Sequence, residues 1–128
     1  MWNTPTKDQL SRIPRCSSQL ENGDLETRDI VMYLHFFLGA CDWWIAEYDG
    51  DDVFYGFACL GDSEMAEWGS ISFSELQELV VQVPITDEQS GATSHLPVEV
   101  DTDLFWTPTK FGDIDRVRLI LAAQRREP

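Results

Sequence analysis

Two aromatic-rich segments on either side of an Asp-Gly turn constrain the fold of this chain more than any other feature. Residues 42–48 and 53–60 flank the tetrapeptide Asp49-Gly50-Asp51-Asp52. Runs of β-forming residues around an Asp-Gly pair are typical of a β-hairpin. Gly50 can adopt the positive φ that such a tight turn requires. The sequence therefore predicts a central hairpin.

Further strands are predicted around this hairpin. Residues 30–38 are rich in β-formers and are expected to form a strand buried on both faces. Shorter strands are expected at 68–72, 96–100 and 104–106, and Pro97 confines the strand that contains it to a sheet edge. Polar residues and turn signals predict loops at 16–27 and 84–95.

Three helices are predicted from capping signals. Thr6 and Gln9 have the spacing of a capping box for a short helix that Pro14 stops. Ser72 and Glu75 have the same spacing ahead of a helix through Val80, and Asp113 is expected to cap a last helix with one apolar face. Arg125 and Arg126 at its end complement the helix dipole. These elements predict a single α+β domain over residues 1–128, with an antiparallel sheet of about four to six strands and two to three helices.

The distribution of charge is more unusual than its total. The chain has 23 Asp and Glu against 9 Lys and Arg, a net charge of −14. All nine bases lie towards the ends, and the 81 residues from Asp29 to Thr109 contain none. That segment holds sixteen acids: Asp29, Asp42, Glu47, Asp49, Asp51, Asp52, Asp62, Glu64, Glu67, Glu75, Glu78, Asp87, Glu88, Glu99, Asp101 and Asp103.

Composition excludes several classes of function. An acidic chain is a poor clamp for nucleic acid or an anionic membrane, and no apolar segment approaches the ~20 residues of a membrane span. The N-terminal residues lack the pattern of a signal peptide. Cys16, Cys41 and Cys59 are widely spaced and odd in number, which argues against a disulfide framework. We expect a cytoplasmic protein that binds neither nucleic acid nor membrane directly.

Known catalytic and cofactor motifs are absent from the sequence. There is no glycine-rich phosphate loop, no Cys-x-x-Cys pair and no His-Glu-x-x-His. A calcium loop starting at Asp49 would need Gly and Glu where Phe54 and Leu60 stand. We predict no enzyme, no cofactor and no metal. An enzyme with a carboxylate-bound metal is a less favoured alternative, because Asp101 and Asp103 leave weak divalent-cation binding open.

The two histidines are expected to be structural. His35 lies within an apolar segment, which favours a core or half-buried histidine over a catalytic base. His95 lies in a polar stretch and is expected to be exposed. A hydrolytic triad would need partners that the sequence does not indicate.

Two interpretations of the acidic segment compete. One is solubility, or adaptation to a salt-rich host. The other is a negative surface shaped for a basic partner that grips nucleic acid, since sixteen carboxylates carry the charge of about eight base pairs of duplex DNA. The candidate acids flank the hairpin turn and the loops: Asp49, Asp51, Asp52, Asp62, Glu64, Glu67, Asp101 and Asp103.

The aromatic residues of the predicted hairpin occupy both of its faces. One face must belong to the core, and the other either lies under a helix or forms an exposed protein-binding patch. Trp44 and Tyr55 are the candidate residues of such a patch.

Several blocks of the sequence resemble a small prokaryotic family of unknown function. They are DWWIAEYDGDDVFYGF at 42–57, SISFSEL at 70–76, LPVE at 96–99 and DLFW at 103–106. The resemblance spans residues 7–113, and it departs from the family in an enlarged segment around 84–95 and a longer C-terminal helix. That family is carried on plasmids, integrative elements and phages, so the resemblance implies a mobile-element setting. It assigns no catalytic residue.

These observations predict a non-enzymatic, acidic inhibitor, a DNA mimic with anti-CRISPR or anti-restriction activity. It would occupy the nucleic-acid-binding surface of a basic host defence complex, as a monomer or homodimer. The alternative is an accessory protein-binding module of plasmid maintenance or conjugation that acts through the exposed aromatic patch.

Overall fold

The hairpin predicted around Asp49-Gly50 forms the centre of the structure, a computed structural model that describes residues 2–15, 19 and 25–125. Its strands are β3 (Cys41–Tyr48) and β4 (Val53–Leu60). Gly50 has a φ of 89°, and a Cβ at this position would overlap the guanidinium of Arg15. The positive φ is the reason that the turn requires glycine, since the Arg15 side chain could move away from a Cβ.

Three further strands extend the hairpin into a five-stranded antiparallel sheet. β2 (Leu34–Leu38) pairs with β3, and β5 (Glu67–Ser72) pairs with β4. The short β8 (Asp101–Thr102) pairs with β2. The resulting strand order is β5-β4-β3-β2-β8, which makes β5 and β8 the two edges of the sheet.

Helices cover both faces of this sheet. On one face, α1 (Lys7–Ser11) and α2 (Phe73–Glu78) lie over a core that contains Phe36, Phe54 and Trp43. On the other face, α3 (Asp115–Gln124) places Val117 and Ile120 against Trp44 and Phe57. The predicted α+β class with a central antiparallel sheet is confirmed.

Two small antiparallel pairs complete the fold. β1 (Val31–Met32) pairs with β9 (Thr109–Lys110). β6 (Val80–Thr86) pairs with β7 (Thr93–Glu99) over seven residue pairs. The second pair is exposed along almost its whole length.

Two helix starts agree with the capping signals. The Thr6 side chain accepts from the Gln9 N–H while the Gln9 side chain accepts from the Thr6 N–H, a complete capping box. The Ser72 side chain accepts from the Glu75 N–H at the start of α2. Each bond satisfies a donor that the first helical turn leaves without an internal partner.

The loop predicted over residues 84–95 is confirmed only for 87–92, because residues 84–86 and 93–95 belong to strands β6 and β7. Pro84 suggested irregular structure, whereas Pro97 was expected in an edge strand. Both occupy positions whose missing N–H would point away from the partner strand, so neither interrupts the pairing. The helix predicted to run through Val80 is shorter than expected, because α2 ends at Glu78 and Val80 is the first residue of β6.

Three other expectations are also wrong in detail. The strand over 30–38 is divided at Tyr33 and is not buried on both faces, since Phe37 is exposed. Residues 104–106 form a turn, in which Asp103 accepts from the Trp106 N–H. Asp113 does not cap α3, because Ile114 takes the N-cap position without a side-chain bond.

The apolar face predicted for the last helix is confirmed, with Val117 and Ile120 fully buried. Most of the loop predicted over 16–27 lies outside the described residues, as does Arg126.

Candidate functional site

The ion pairs of the described residues concentrate on the terminal elements. The basic side chains there contact acids close to them in sequence. The pairs are Arg12–Asp8 at 2.7 Å, Arg28–Glu26 at 2.8 Å, and Arg118 with Asp113 and Asp115 at 3.8 and 3.7 Å. Two acids of the base-free segment also form pairs, Asp29 with Lys110 and Asp42 with Arg116, each at 3.5 Å.

A second group of acids lies around the β4–β5 edge of the sheet, with Glu75 and Glu78 on the face that α2 covers and Asp62 and Glu64 on the face that α3 covers. We call this group the acidic edge. It begins in the β3–β4 turn, follows α2 and β5, and ends in the β4–β5 connection. Its two ends are separated by the length of β4. From the first to the last of the eight residues of β4, the distance is about 24 Å, at ~3.4 Å for each step between neighbouring residues. None of its members forms an ion pair with a Lys or Arg in the described part of the chain. They are Asp51, Asp52, Asp62, Glu64, Glu67, Glu75 and Glu78.

A hollow of about 400 Å³ opens in the acidic edge between β5 and α2. Trp43 and Ala58 lie at its floor, and Leu76 of α2 and Leu79, which follows α2, form one wall. Gly69 contributes to the space, because a Cβ there would meet no atom within 4 Å. The hollow is apolar at its base and carries carboxylates at its rim.

Asp49 belongs to the predicted site, but its carboxylate holds the hairpin turn. Its Oδ1 accepts from the N–H groups of Asp51, Asp52 and Val53 at 2.8–3.1 Å. These bonds, that of Asp51 foremost, hold the pKa of Asp49 below its ordinary value. The charge is therefore fixed in place at neutral pH.

Asp52 has a similar double role. Its carboxylate accepts from the Ser72 hydroxyl at 2.9 Å and from the Ser74 N–H and hydroxyl at 2.8 and 2.9 Å. The Ser72 bond is the main reason that the pKa of Asp52 is lowered. At the other end of the edge, Asp62 accepts from the Glu64 N–H at 3.0 Å.

Asp101 and Asp103 do not join the other candidate acids. β8 lies at the opposite edge of the sheet from β5, four strand spacings or about 19 Å away. Asp101 accepts from the Asn3 side chain at 2.7 Å, and Asp103 lies 3.1 Å from His35 Nδ1. The structure thus divides the eight candidate acids between two edges.

His35 lies between two carboxylates, an arrangement that the sequence does not indicate. Its Nε2 is 2.8 Å from Asp42 and its Nδ1 is 3.1 Å from Asp103, and its ring stacks on Trp44 with centroids 5.1 Å apart. Both ring nitrogens are occupied by hydrogen bonds within the protein. The expected half-buried histidine is confirmed, and the cluster ties β2, β3 and the segment after β8 together.

The aromatic side chains of the hairpin do not form an exposed patch. Trp44 is 1% exposed and packs under α3, so it cannot serve as the binding residue that the patch required. Tyr55 is half-buried. The alternation that placed aromatic side chains on both faces is explained by helices that cover both.

An exposed aliphatic surface exists elsewhere, on the β6–β7 hairpin. In its register, Val81 faces Val98 and Val83 faces Leu96, so one face of the hairpin is almost wholly aliphatic. We call this the aliphatic face, and its members are Val81, Val83, Ile85, Leu96 and Val98. Four of them are 38–50% exposed, while Val98 packs against the core at the hairpin base. The alternation of Val81, Val83 and Ile85 is the signal that sequence reasoning missed.

Other chemical groups offer little for catalysis. Among the described residues, no group of three or more His, Cys, Asp or Glu side chains is arranged to hold a metal ion. Burial, with Cys59 and Asp42 nearby, raises the pKa of the Cys41 thiol, which disfavours the reactive thiolate. His95 is exposed on β7, as expected.

Comparisons with known proteins find no matching family model, no similar curated protein and no similar solved structure. In the described part of the chain, every helix is too short or too polar to cross a membrane.

Proposed function

We propose that the protein is a non-enzymatic acidic inhibitor that occupies the nucleic-acid-binding surface of a basic host complex, such as a CRISPR effector or a restriction enzyme. One observation carries the proposal: the acidic edge presents seven carboxylates that form no ion pair with a described Lys or Arg, although Arg15 lies at the β3–β4 turn, while the ion pairs lie elsewhere. The mobile-element setting implied by the sequence resemblance is consistent with a target in host defence.

The dimensions of the acidic edge support mimicry of a nucleic-acid strand. Along the axis of B-DNA one strand has a phosphate about every 3.4 Å, so about seven phosphates of one strand fall within ~24 Å of axis. The edge carries seven carboxylates. Lys and Arg side chains spaced to grip one strand would therefore meet a comparable density of negative charge.

The same electrostatics set the expected binding behaviour. Opposite fields accelerate the encounter of two proteins, and salt weakens this effect because the screening length falls to about 10 Å at 0.1 M. We expect association with the target to fall steeply as salt is raised. A surface kept acidic only for solubility would show no such specific partner.

Two variants with the same change in net charge test the proposal. The first reverses four exposed acids of the acidic edge to Lys: Asp51, Glu64, Glu67 and Glu78. The control reverses four exposed acids elsewhere: Asp8, Glu26, Glu88 and Asp113. Each immobilised variant is incubated with a nuclease-treated prokaryotic lysate at low and high salt, and the retained proteins are identified.

The proposal predicts that the wild-type and control proteins retain the same nucleic-acid-binding complex at low salt and that the edge variant loses it. Duplex DNA added to the column should release the complex. If the edge variant retains it as well as the control does, mimicry by the acidic edge is wrong.

The aliphatic face favours a second candidate, a protein-binding module of plasmid maintenance or conjugation. The exposed aromatic patch first expected for that function is replaced by Val83, Ile85 and Leu96 on the β6–β7 hairpin. Changing these three to Thr tests it: this candidate predicts that partner retention is lost and that salt has little effect.

A further inference from the structure

The open edge of β5 has backbone groups directed to solvent. The Phe73 N–H donates to the Asp52 carbonyl at 2.7 Å, and this bond sets the phase of the β4–β5 ladder. Residues 67, 69 and 71 therefore direct their backbone groups to β4, while Trp68 and Ser70 direct theirs outward. No described strand pairs with this side of β5.

The edges of the β6–β7 hairpin show a contrasting arrangement. The Asp87 N–H donates to the Ala92 carbonyl, which sets its phase so that Pro84 and Pro97 fall at outward-directed positions. Proline at such a position offers no donor to an incoming strand. β5 contains neither proline nor lysine, so it lacks this protection.

The hollow lies directly beside the open edge of β5. Gly69 and Ala58 are neighbours in the β4–β5 ladder, and their small size leaves the floor of the hollow low. Leu60 and Leu79 lie at its sides and are 66% and 38% exposed. Such a space accepts an aliphatic or aromatic side chain. A strand added to β5 would place alternate side chains over this face of the sheet.

The charges around the hollow are of one sign. Glu67 and Glu75 line it, and no Lys or Arg does among the described residues. An incoming segment with Lys or Arg on the same strand face as its apolar residue would therefore be favoured, and an acidic segment would be repelled.

We propose that β5 accepts an extended basic segment of the partner protein as an added strand. One apolar side chain of that segment enters the hollow, and its Lys or Arg side chains contact Glu67 and Glu75. This inference rests on the proposed function, because it takes the basic target as the source of the segment, and it names how the acidic edge would hold that target.

The test uses a synthetic peptide of nine residues, acetylated and amidated, with a central leucine flanked by valines. Lysines alternate with the valines, so that they lie on the same strand face as the leucine. A second peptide of the same sequence carries N-methyl groups on alternate amides of one edge, and a third carries them on the other edge. Binding to the full chain is measured by calorimetry at low and high salt. Strand addition predicts that one of the N-methylated peptides binds and the other does not.

Three variants separate the contributions of the site. Gly69→Val places its Cβ where no atom lies within 4 Å and extends its methyl groups into the hollow, so it should weaken peptide binding about tenfold while leaving the fold at least as stable. Ser70→Pro removes an outward N–H and should weaken binding about threefold to tenfold, whereas Ser70→Ala should stay within about twofold. Glu67→Gln with Glu75→Gln should reduce the salt dependence of binding.

The outcomes distinguish this inference from the proposed function. If Gly69→Val and Ser70→Ala bind the peptide equally well, or if both N-methylated peptides bind like the parent, strand addition is refuted. The proposed function survives that result if the four-Lys edge variant still loses the basic complex from lysate. It falls if that variant retains the complex, whatever the peptide does.

Discussion

Ser72 Oγ donates a hydrogen bond to Asp52 Oδ2 over 2.9 Å, which joins the end of β5 to the turn of the central hairpin. The same carboxylate accepts from the backbone and side chain of Ser74 in the first turn of α2. One acid therefore positions the β3–β4 turn, β5 and α2 relative to one another. It contributes to the acidic edge and to the geometry that the edge depends on.

Protonation of Asp52 is predicted to loosen this junction. Its pKa is lowered in the folded protein, so the unfolded chain takes up the proton first as pH falls. The stability that the charge contributes therefore begins to fall near the ordinary Asp value of about 3.9 and is lost as pH falls through the lower pKa of the folded state. Above about pH 5 the contribution is complete. In thermal melts from neutral to acidic pH, Asp52→Asn should lower the Tm at pH 7 and differ less from wild type below pH 4.

Asp51→Asn is the matched control, since the Asp51 carboxylate makes no such bonds among the described residues. It should melt like wild type at neutral pH. A Tm difference for Asp52→Asn that is the same at every pH would contradict the assigned role of its charge.

Gly56 is predicted to be irreplaceable in β4. A Cβ there would overlap the Trp44 carbonyl, close to the bulge that interrupts the β3–β4 register between Ile45 and Glu47. Gly56→Ala should lower the free energy of unfolding by about 3 kcal/mol, since the backbone has to shift. Gly69→Ala, which meets nothing, should raise it by about 0.5–1 kcal/mol. Urea denaturation measures both, and equal effects would contradict the packing described.

The His35 cluster is predicted to act as one energetic unit. Because His35 contacts both Asp42 and Asp103 through its ring nitrogens, removing the ring leaves two largely buried carboxylates without their shared partner, at a cost of about 2–3 kcal/mol. In a double-mutant cycle, His35→Ala and Asp103→Ala should couple by about 1 kcal/mol or more. The distant pair His35→Ala and Asp62→Ala serves as control and should be additive. Additivity in both pairs would rule the cluster out.

The β6–β7 hairpin is predicted to be the least protected sheet structure of the described chain. Its residues are exposed on both faces, whereas β3 and β4 lie between two helical layers. Amide hydrogen exchange in β6 and β7 should therefore proceed much faster than in β3 and β4. Thr at positions 83, 85 and 96 should change the free energy of unfolding by only about 0.5 kcal/mol each. Comparable protection in the two hairpins would show that a partner, such as a second copy, covers the aliphatic face.

The sequence was sufficient to predict the α+β class and the central hairpin, because their signals are local. Asp49-Gly50 specifies the turn, and the capping residues Thr6 and Ser72 specify two helix starts. A strand over 96–100 was expected and overlaps β7, but β6 and its pairing were missed because Pro84 was weighed by residue type. Whether a proline breaks a strand depends on which way its nitrogen points, and the pairing phase decides that.

The candidate site was only half accessible from the sequence. The segment without bases was evident, but its division into two edges depends on strand order, which places Asp101 at β8 and Glu67 at β5. Nothing local to Asp103 indicates that it will bond to His35, 68 residues away. Likewise, aromatic alternation in β3 could not indicate that α3 would cover Trp44.

The most direct measurement of the central claim is competition for the basic complex between this protein and duplex DNA. Labelled DNA bound to the purified complex is titrated with wild-type protein, with the four-Lys edge variant and with the control variant. We predict that wild type and control release the DNA near one equivalent, that the edge variant does not, and that added salt weakens the release. Simultaneous binding of DNA and wild-type protein to the complex would contradict the account.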